Sequence, residues 1–272
     1  MSYYPEQLEA FRNGSKTYYN ATRFFPPAIR DDVIRFYGFV RTADNLVDDI
    51  LQKATEFKQF CADFAASRQG TACGNVIIDD FVALERERKF DPLWADAFLK
   101  SMSMDLTKKR YETIEETLDY IYGSAEVIGL FMSSILGLSS EASHAARMQG
   151  RAMQMINFIR DVAEDLQLGR TYLPMSDTTL KSLDEESANA QPAEFVRFLN
   201  QQIDRYLGWQ SEAETGYHYM PKSFRVPVKT ASDMYRWTAL TIKKNPFIIY
   251  QKKVKPTKPR ILYAVLFNRI TQ

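Results

Sequence analysis

Apolar residues recur at helical spacing along most of the chain, and the alternating pattern typical of strands is nearly absent. Residues 28–51 follow a proline pair, which is a natural helix start, and place Val33, Tyr37 and Val40 near one helical face. The same period predicts further helices over residues 54–66, 78–88, 92–104, 113–138, 143–166, 192–219 and 230–244. Residues 175–191 are rich in Ser, Thr, Asp and Glu, which predicts a loop with room for a short helix. The pattern as a whole predicts an all-α protein.

Length and composition are those of a globular protein. The chain has 272 residues, of which 45% are apolar and 25% are charged, and no repeat or low-complexity tract interrupts it. We therefore expect one domain over residues 1–272. The N-terminus lacks the basic-then-apolar pattern of a signal peptide, and the two cysteines, Cys61 and Cys73, fit a reducing cytoplasm. The longest apolar run, 127–138, is far shorter than the roughly 20 residues that cross a bilayer.

Charge is balanced overall but unevenly distributed. The net charge of +1 argues against a nucleic-acid-binding protein. From Tyr219 to Gln272, however, the chain carries twelve Lys or Arg and one acidic residue, Asp233. A solvated basic surface accounts for this asymmetry, and so do two more specific partners, a peripheral membrane surface with anionic headgroups or a diphosphate.

Two aspartates in the predicted helix 28–51 stand four residues apart. Asp44 and Asp48 lie about one turn apart on one helical face, so they present two carboxylates to the same region. Mg²⁺ prefers oxygen ligands and typically binds through one or two carboxylates together with substrate phosphates. The pair is therefore a candidate Mg²⁺ site. A solvated helix face is the alternative, as we expect for Glu112 and Glu116.

A second polar line lies in a later predicted helix. Asn157, Asp161 and Asp165 follow one another at four-residue intervals among apolar neighbours, so much of this helix should be buried. An unpaired buried carboxylate is costly, and metal ions between two facing acidic helices would remove that cost. In both motifs an arginine, Arg41 or Arg160, comes shortly before the first aspartate.

The order and spacing of these motifs resemble those of the squalene and phytoene synthase family, and the resemblance covers most of the chain. The family's first motif region is matched by Ser15-Lys16-Thr17-Tyr18, Pro26-Pro27, Arg41, Asp44 and Asp48. Its second motif is matched by Gln154, Asn157, Arg160, Asp161 and Asp165, followed by Gly169-Arg170-Thr171-Tyr172-Leu173-Pro174.

A third segment is similar to the helix that lines the cavity in this family. It contains Tyr120 and Tyr122, but it has Glu126 where the family usually has Gly. Tyr235 matches a C-terminal tyrosine of the family. The family's basic C-terminal cluster is represented by Lys252, Lys253, Lys255 and Lys258.

The resemblance implies a single-domain helical bundle of the isoprenoid synthase type around a deep central cavity. It also implies a Mg²⁺-dependent prenyltransferase, with Mn²⁺ as a substitute ion, that joins two prenyl diphosphates head to head through a cyclopropyl diphosphate. The implied metal ligands are Asp44, Asp48, Asn157, Asp161 and Asp165. The implied catalytic residues are Asp44, Asp48, Asp161, Asp165, Tyr37 and Arg41. The implied substrate-binding residues are Ser15, Lys16, Thr17, Tyr37, Arg41, Tyr120, Tyr122, Gln154, Asn157, Arg160 and Tyr235.

The substrate within this class is less constrained. Conversion of two geranylgeranyl diphosphates to phytoene, in carotenoid biosynthesis, needs no reductant, and the chain has no nucleotide-binding fingerprint. Farnesyl diphosphate as substrate, giving squalene, presqualene diphosphate or dehydrosqualene, remains open, and NADPH would be needed only for squalene. A non-catalytic helical assembly protein and a head-to-tail elongase or terpene cyclase are the alternatives from other classes. The former would be expected to lose the aspartates, and the latter have different motifs. The sequence leaves the oligomeric state open.

Overall fold

Several helices begin and end close to their predicted bounds, but the helix predicted over 230–244 begins already at Lys222, and the helix predicted over 192–219 ends at Glu214. The computed structural model describes residues 3–14, 22, 25–48 and 51–270. In the first half of the chain the helices are α1 (Pro5–Gly14), α2 (Pro27–Val47), α3 (Ala54–Arg68), α4 (Val76–Arg88), α5 (Pro92–Asp105), α6 (Ile114–Ile121) and α7 (Val127–Ile135). In the second half they are α8 (Ser143–Arg160), α9 (Val162–Gln167), α10 (Glu185–Ala190), α11 (Pro192–Glu214), α12 (Lys222–Lys244), α13 (Ile248–Gln251) and α14 (Lys258–Ile270). The described ranges contain no strand, only a single bridge between Arg110 and Thr171.

Two of the predicted helices are interrupted at a motif aspartate. The helix predicted over 28–51 ends at Val47, because Asp48 turns to φ −96° and ψ 3°. The helix predicted over 143–166 is divided into α8 and α9 by Asp161, at φ −101° and ψ 13°. Backbone hydrogen bonds of 2.8 Å from Asp161 N to Asn157 O and from Asp165 N to Asp161 O still span the second break. Local distortion therefore accompanies both acidic motifs.

The helix predicted over 113–138 contains a wide turn. The backbone forms a π-helical turn over Tyr122–Glu126 that joins α6 to α7. Gly150 of α8 lies against this turn so closely that an added Cβ would be 2.1 Å from the carbonyl oxygen of Ala125. A single-turn π segment inside a helix often marks a functional region. Here it lets α8 approach the turn at backbone distance.

The core consists of two groups of buried side chains. The first is built on α2, α3, α4, α5 and α7, and includes the fully buried rings of Phe36, Phe39 and Phe131. The second is built on α6, α8 and α11 with the C-terminal segments, and includes Phe158 and Tyr172. The acidic motifs lie where the first group, through α2, meets the second group, through α8 and α9. No helix in the described part of the chain combines the length and apolar character that a bilayer span requires.

Candidate active site

The first acidic motif occupies the C-terminal turns of α2. Arg41 Nη1 donates a 2.6 Å hydrogen bond to Asp44 Oδ2. Burial raises the pKa of Asp44 to about 6; Arg41 opposes this shift, whereas the charges of Asp48 and Asp105 add to it. Burial is the largest cause of this shift, and the two other carboxylates add to it because like charges disfavour ionisation of their neighbours.

Arg170 connects the end of α2 to the segment after α9. Its Nη1 donates to Asp48 Oδ1 at 2.8 Å, and its Nη2 donates to the carbonyl oxygen of Val47 at 2.6 Å. Gln52 Nε2 also donates to that carbonyl, at 2.9 Å. These donors satisfy a carbonyl that the end of the helix leaves free. Arg170 is only 2% exposed, so its guanidinium fixes the position of the Asp48 carboxylate.

A buried carboxylate that the sequence did not indicate supports Arg170. Asp105, at the end of α5, is 2% exposed and accepts hydrogen bonds from Tyr172 Oη at 2.6 Å and Tyr120 Oη at 2.7 Å. It lies 4.0 Å from Arg170 Nη1. Burial raises the pKa of Asp105, and the two tyrosine hydroxyls oppose that shift. Tyr120 therefore contacts this network through its hydroxyl, and Asp105 was missed because nothing near it in sequence repeats the acidic spacing.

The second motif faces the first. Burial, together with the charges of Asp161 and Asp48, raises the pKa of Asp165 to about 8, and Arg170 opposes the shift. Arg170 brings the two acidic motifs near one another, since its backbone N–H donates to Asp165 O at 2.8 Å while its Nη1 donates to Asp48 Oδ1. Among the described residues, Asp165 has no cationic hydrogen-bond partner, whereas Asp161 accepts 2.7 and 2.6 Å bonds from Arg160 and lies 3.1 Å from Lys253 Nζ.

Tyr37 and Tyr235 join the same region from opposite helices. Burial raises the pKa of Tyr37, and the nearby Tyr235 hydroxyl of α12 raises it further. Tyr235 also acts on the pKa of Arg160, which is raised overall by its bonds to Asp161 although burial lowers it. The residues Tyr37, Arg41, Arg160 and Tyr235 are therefore brought together around the acidic motifs.

The remaining sequence-predicted residues are placed differently. Gln154 is half-buried on α8, one turn before Asn157. Tyr122 packs against the first core group, with the guanidinium of Arg147 5.5 Å from its ring centroid. Ser15, Lys16 and Thr17 lie outside the described residues.

Glu126, which stands where the family usually has Gly, directs its side chain toward α8. Its side chain is 1% exposed and accepts hydrogen bonds from Arg147 Nε at 2.8 Å and Arg151 Nε at 2.6 Å. Arg151 in turn lies over the ring of Trp209, 5.3 Å from its centroid. The glutamate is therefore a paired structural charge at the contact between the π turn and α8.

The donor set fits a hard divalent cation. Asn157 Oδ1 is buried and, among the described residues, accepts no hydrogen bond. The pKa of Asp165 is raised, first by burial and then by the charges of Asp161 and Asp48, although Arg170 opposes the shift, so a bound cation would favour its ionised form. No three acidic, cysteine or histidine side chains of the described ranges converge on one point. Carboxylate and amide oxygens are nevertheless the type of ligand that Mg²⁺ takes, and this ion completes its shell with water and phosphate.

The molecule is an all-helical protein in which two acidic motifs lie near one another, and comparison with known proteins identifies its family. A family model described as squalene/phytoene synthase matches residues 11–260. The chain therefore belongs to the squalene/phytoene synthase family, whose members are prenyltransferases, as its sequence motifs predicted.

Individual relatives support this assignment. The chain is 30% identical over 277 residues to a presqualene diphosphate synthase of Zymomonas mobilis, covering 94% of this chain and 90% of that protein. It is 29% identical over 268 residues to a 15-cis-phytoene synthase of Synechocystis, covering 92% and 79%. A dehydrosqualene synthase crystal structure has the same fold, with a TM-score of 0.82 at 20% identity, covering 97% of this chain and 94% of that one. The predicted isoprenoid synthase-type helical fold is confirmed.

Proposed function

We propose that this protein condenses two prenyl diphosphates head to head through a cyclopropyl diphosphate. The observation that supports this most strongly is the closeness of the two motifs, because Arg170 donates its backbone N–H to Asp165 O at 2.8 Å and its Nη1 to Asp48 Oδ1 at 2.8 Å. Two facing acidic surfaces would repel each other unless cations lay between them, and a diphosphate substrate brings such cations with it.

Five residues would hold Mg²⁺, or Mn²⁺ in its place. The two aspartates of α2 and the polar line of α8 and α9 supply the oxygens, namely Asp44, Asp48, Asn157, Asp161 and Asp165. A bound divalent ion neutralises the charge that develops as pyrophosphate leaves.

The arginines of the site act on the substrate's phosphate oxygens. Arg41 and Arg160 form strong bonds to Asp44 and Asp161 in the absence of ligand. With Asp44 and Asp161 engaged as metal ligands, the two guanidinium groups would be available to donate bidentate hydrogen bonds to the diphosphate. We assign Ser15, Lys16, Thr17 and Gln154 to the same binding role on the family motif alone.

The tyrosine rings of the site form part of the wall around the allylic cation that the reaction creates. Tyr37 stays protonated because burial raises its pKa. Tyr120 is held by its bond to Asp105, so its ring is fixed. Aromatic faces stabilise allylic cations, and exclusion of water prevents their capture.

We favour the condensation of two geranylgeranyl diphosphates to phytoene, because relatives named phytoene synthase match nearly the whole chain. Two farnesyl diphosphates giving presqualene diphosphate is the second candidate, on the 30% identity to the Zymomonas enzyme. NADPH enters only if the product is squalene. We further propose a cytoplasmic enzyme that works at a membrane surface, since its substrates and product carry long hydrocarbon chains.

Product analysis tests this proposal. Purified protein with Mg²⁺ is incubated with each of the C15 and C20 diphosphates, with and without NADPH, and the extracted lipid is identified by mass spectrometry. Asp44→Ala and Asp161→Ala are each expected to abolish turnover while helical circular dichroism is retained. Asp119→Ala removes a carboxylate that pairs with Lys100 at the surface and serves as the matched control. Turnover retained in Asp44→Ala or Asp161→Ala would refute the metal assignment.

A further inference from the structure

The C-terminal helix α14 presents an apolar stripe to solvent. Leu262, Leu266 and Ile270 are 60%, 50% and 83% exposed, and Tyr263 and Phe267 are 69% and 52% exposed. Residues four apart lie on one side of a helix, so these side chains form one continuous strip. The rings of Tyr263 and Phe267 stack within it, with centroids 6.2 Å apart. Single exposed apolar residues are ordinary, but a contiguous set of five marks an interaction surface.

The opposite side of α14 fixes the helix against α12. Ala264 and Asn268 are buried there, and Asn268 Nδ2 donates a 2.7 Å hydrogen bond to Asp233 Oδ2. The guanidinium of Arg260 lies over Trp237, 4.9 Å from the ring centroid. Because α14 is held from behind, its apolar stripe points away from the protein. The apolar side chains of the stripe are therefore exposed while the helix itself is packed against α12.

Positive charge borders the stripe on both sides. At about 100° per residue, Lys258 and Arg269 fall along one border of the stripe and Arg260 along the other. Lys255 is exposed in the connector that precedes α14. No acidic residue occurs after Asp233, so nothing on this part of the chain offsets the charge. An apolar strip between cationic borders is complementary to a surface that is anionic outside and apolar beneath.

We propose that α14 is an interfacial helix that binds anionic lipid bilayers, with its stripe in the headgroup and acyl boundary and its cations on the lipid phosphates. Helices of this type bind through buried apolar area together with attraction to anionic headgroups. The assignment names the part of the chain that would hold the enzyme at the membrane surface, and its functional role rests on the function proposed above. The connector also reaches the acidic site, since Lys253 Nζ lies 3.1 Å from Asp161 Oδ1. The membrane helix and the diphosphate site are thus joined by one short segment.

Vesicle co-sedimentation of the full chain at low salt tests the assignment. Binding is expected to vesicles of phosphatidylglycerol and phosphatidylcholine, and to be much weaker with phosphatidylcholine alone. The double variant Leu262→Ser/Leu266→Ser is expected to bind at least about tenfold more weakly, since two apolar side chains no longer insert. Lys258→Gln/Arg269→Gln is expected to bind about 25-fold more weakly, because each cation near an anionic surface contributes a factor of about five.

The matched control is Leu93→Ser, which changes a leucine that is 66% exposed at the start of α5. It should bind like the wild type. Equal loss in this control, unchanged binding in the α14 leucine variant, or no binding by the wild type would overturn the proposal. A lipid-free dimer that the leucine variant dissociates would show instead that the face binds a second copy of the chain. Turnover assayed in detergent separates the membrane proposal from the proposed reaction. The variant Leu262→Ser/Leu266→Ser should keep wild-type turnover in detergent. Vesicle binding by a protein that shows no turnover would contradict only the proposed reaction.

Discussion

Binding of Mg²⁺ should release about one proton from this protein at pH 7. Burial and neighbouring carboxylates raise the pKa of Asp165 to about 8 and that of Asp44 to about 6. At pH 7 a group with a pKa of about 8 is protonated in about nine molecules of ten, and one with a pKa of about 6 in about one of ten. A divalent cation binds the ionised carboxylates, so these protons must leave on binding.

Isothermal titration calorimetry measures this release directly. Mg²⁺ is added to the substrate-free protein in buffers of different ionisation enthalpy, and the slope of the observed heat against that enthalpy gives the number of protons. The expected value is about one at pH 7 and about 0.1 at pH 9, where Asp165 is already ionised. Asp165→Asn should reduce the release at pH 7 to about 0.1, because only Asp44 then contributes. Asp119→Asn should behave like the wild type.

A slope near zero at pH 7 would refute the reasoning, because it would mean that the carboxylates are ionised before any cation arrives. A release that stays the same between pH 7 and pH 9 would refute it as well, since it would come from a different group.

Three further predictions concern stability. Without divalent ions, the free energy of unfolding should fall by about 1 kcal/mol between pH 6 and pH 7 in urea titrations. The folded protein keeps the proton of Asp165 in this range, whereas the unfolded chain has already lost it near the ordinary pKa of aspartate, so stability is lost as pH rises. Saturating Mg²⁺ should abolish this dependence on pH. A free energy of unfolding that rises between pH 6 and pH 7 would contradict the prediction. Gly150→Ala should destabilise by about 1–3 kcal/mol, because its Cβ meets the Ala125 carbonyl. Gly208→Ala, at an exposed helical position with open space, should instead stabilise by about 0.5–1 kcal/mol, and equal effects of the two would argue against the close approach. Asp105→Asn should lower the free energy of unfolding by about 1–3 kcal/mol, since a buried tyrosine hydroxyl loses its acceptor; an unchanged denaturation midpoint would show that the network is not stabilising.

The acidic motifs could be predicted from the sequence because their geometry is local. Asp44 with Asp48, and Asn157 with Asp165, are separated by whole turns, and the helical period alone puts each set on one face. The motif order also identified the family, and with it the helical fold. The breaks at Asp48 and Asp161 were not predicted; the first depends on Arg170, a residue distant in sequence, which satisfies the freed carbonyl of Val47.

The amino-acid sequence by itself determined the helices, the two polar faces and the basic C-terminal region. Tertiary structure alone decided which long-range partners complete them. Arg170 reaches Asp48 across 122 positions, Asp105 collects two tyrosine hydroxyls, and α14 turns its apolar stripe outward. Periodicity carries information over a few turns, whereas these contacts form between segments that are distant along the chain. Only packing brings such segments together, because it is the burial of the core that fixes their relative positions.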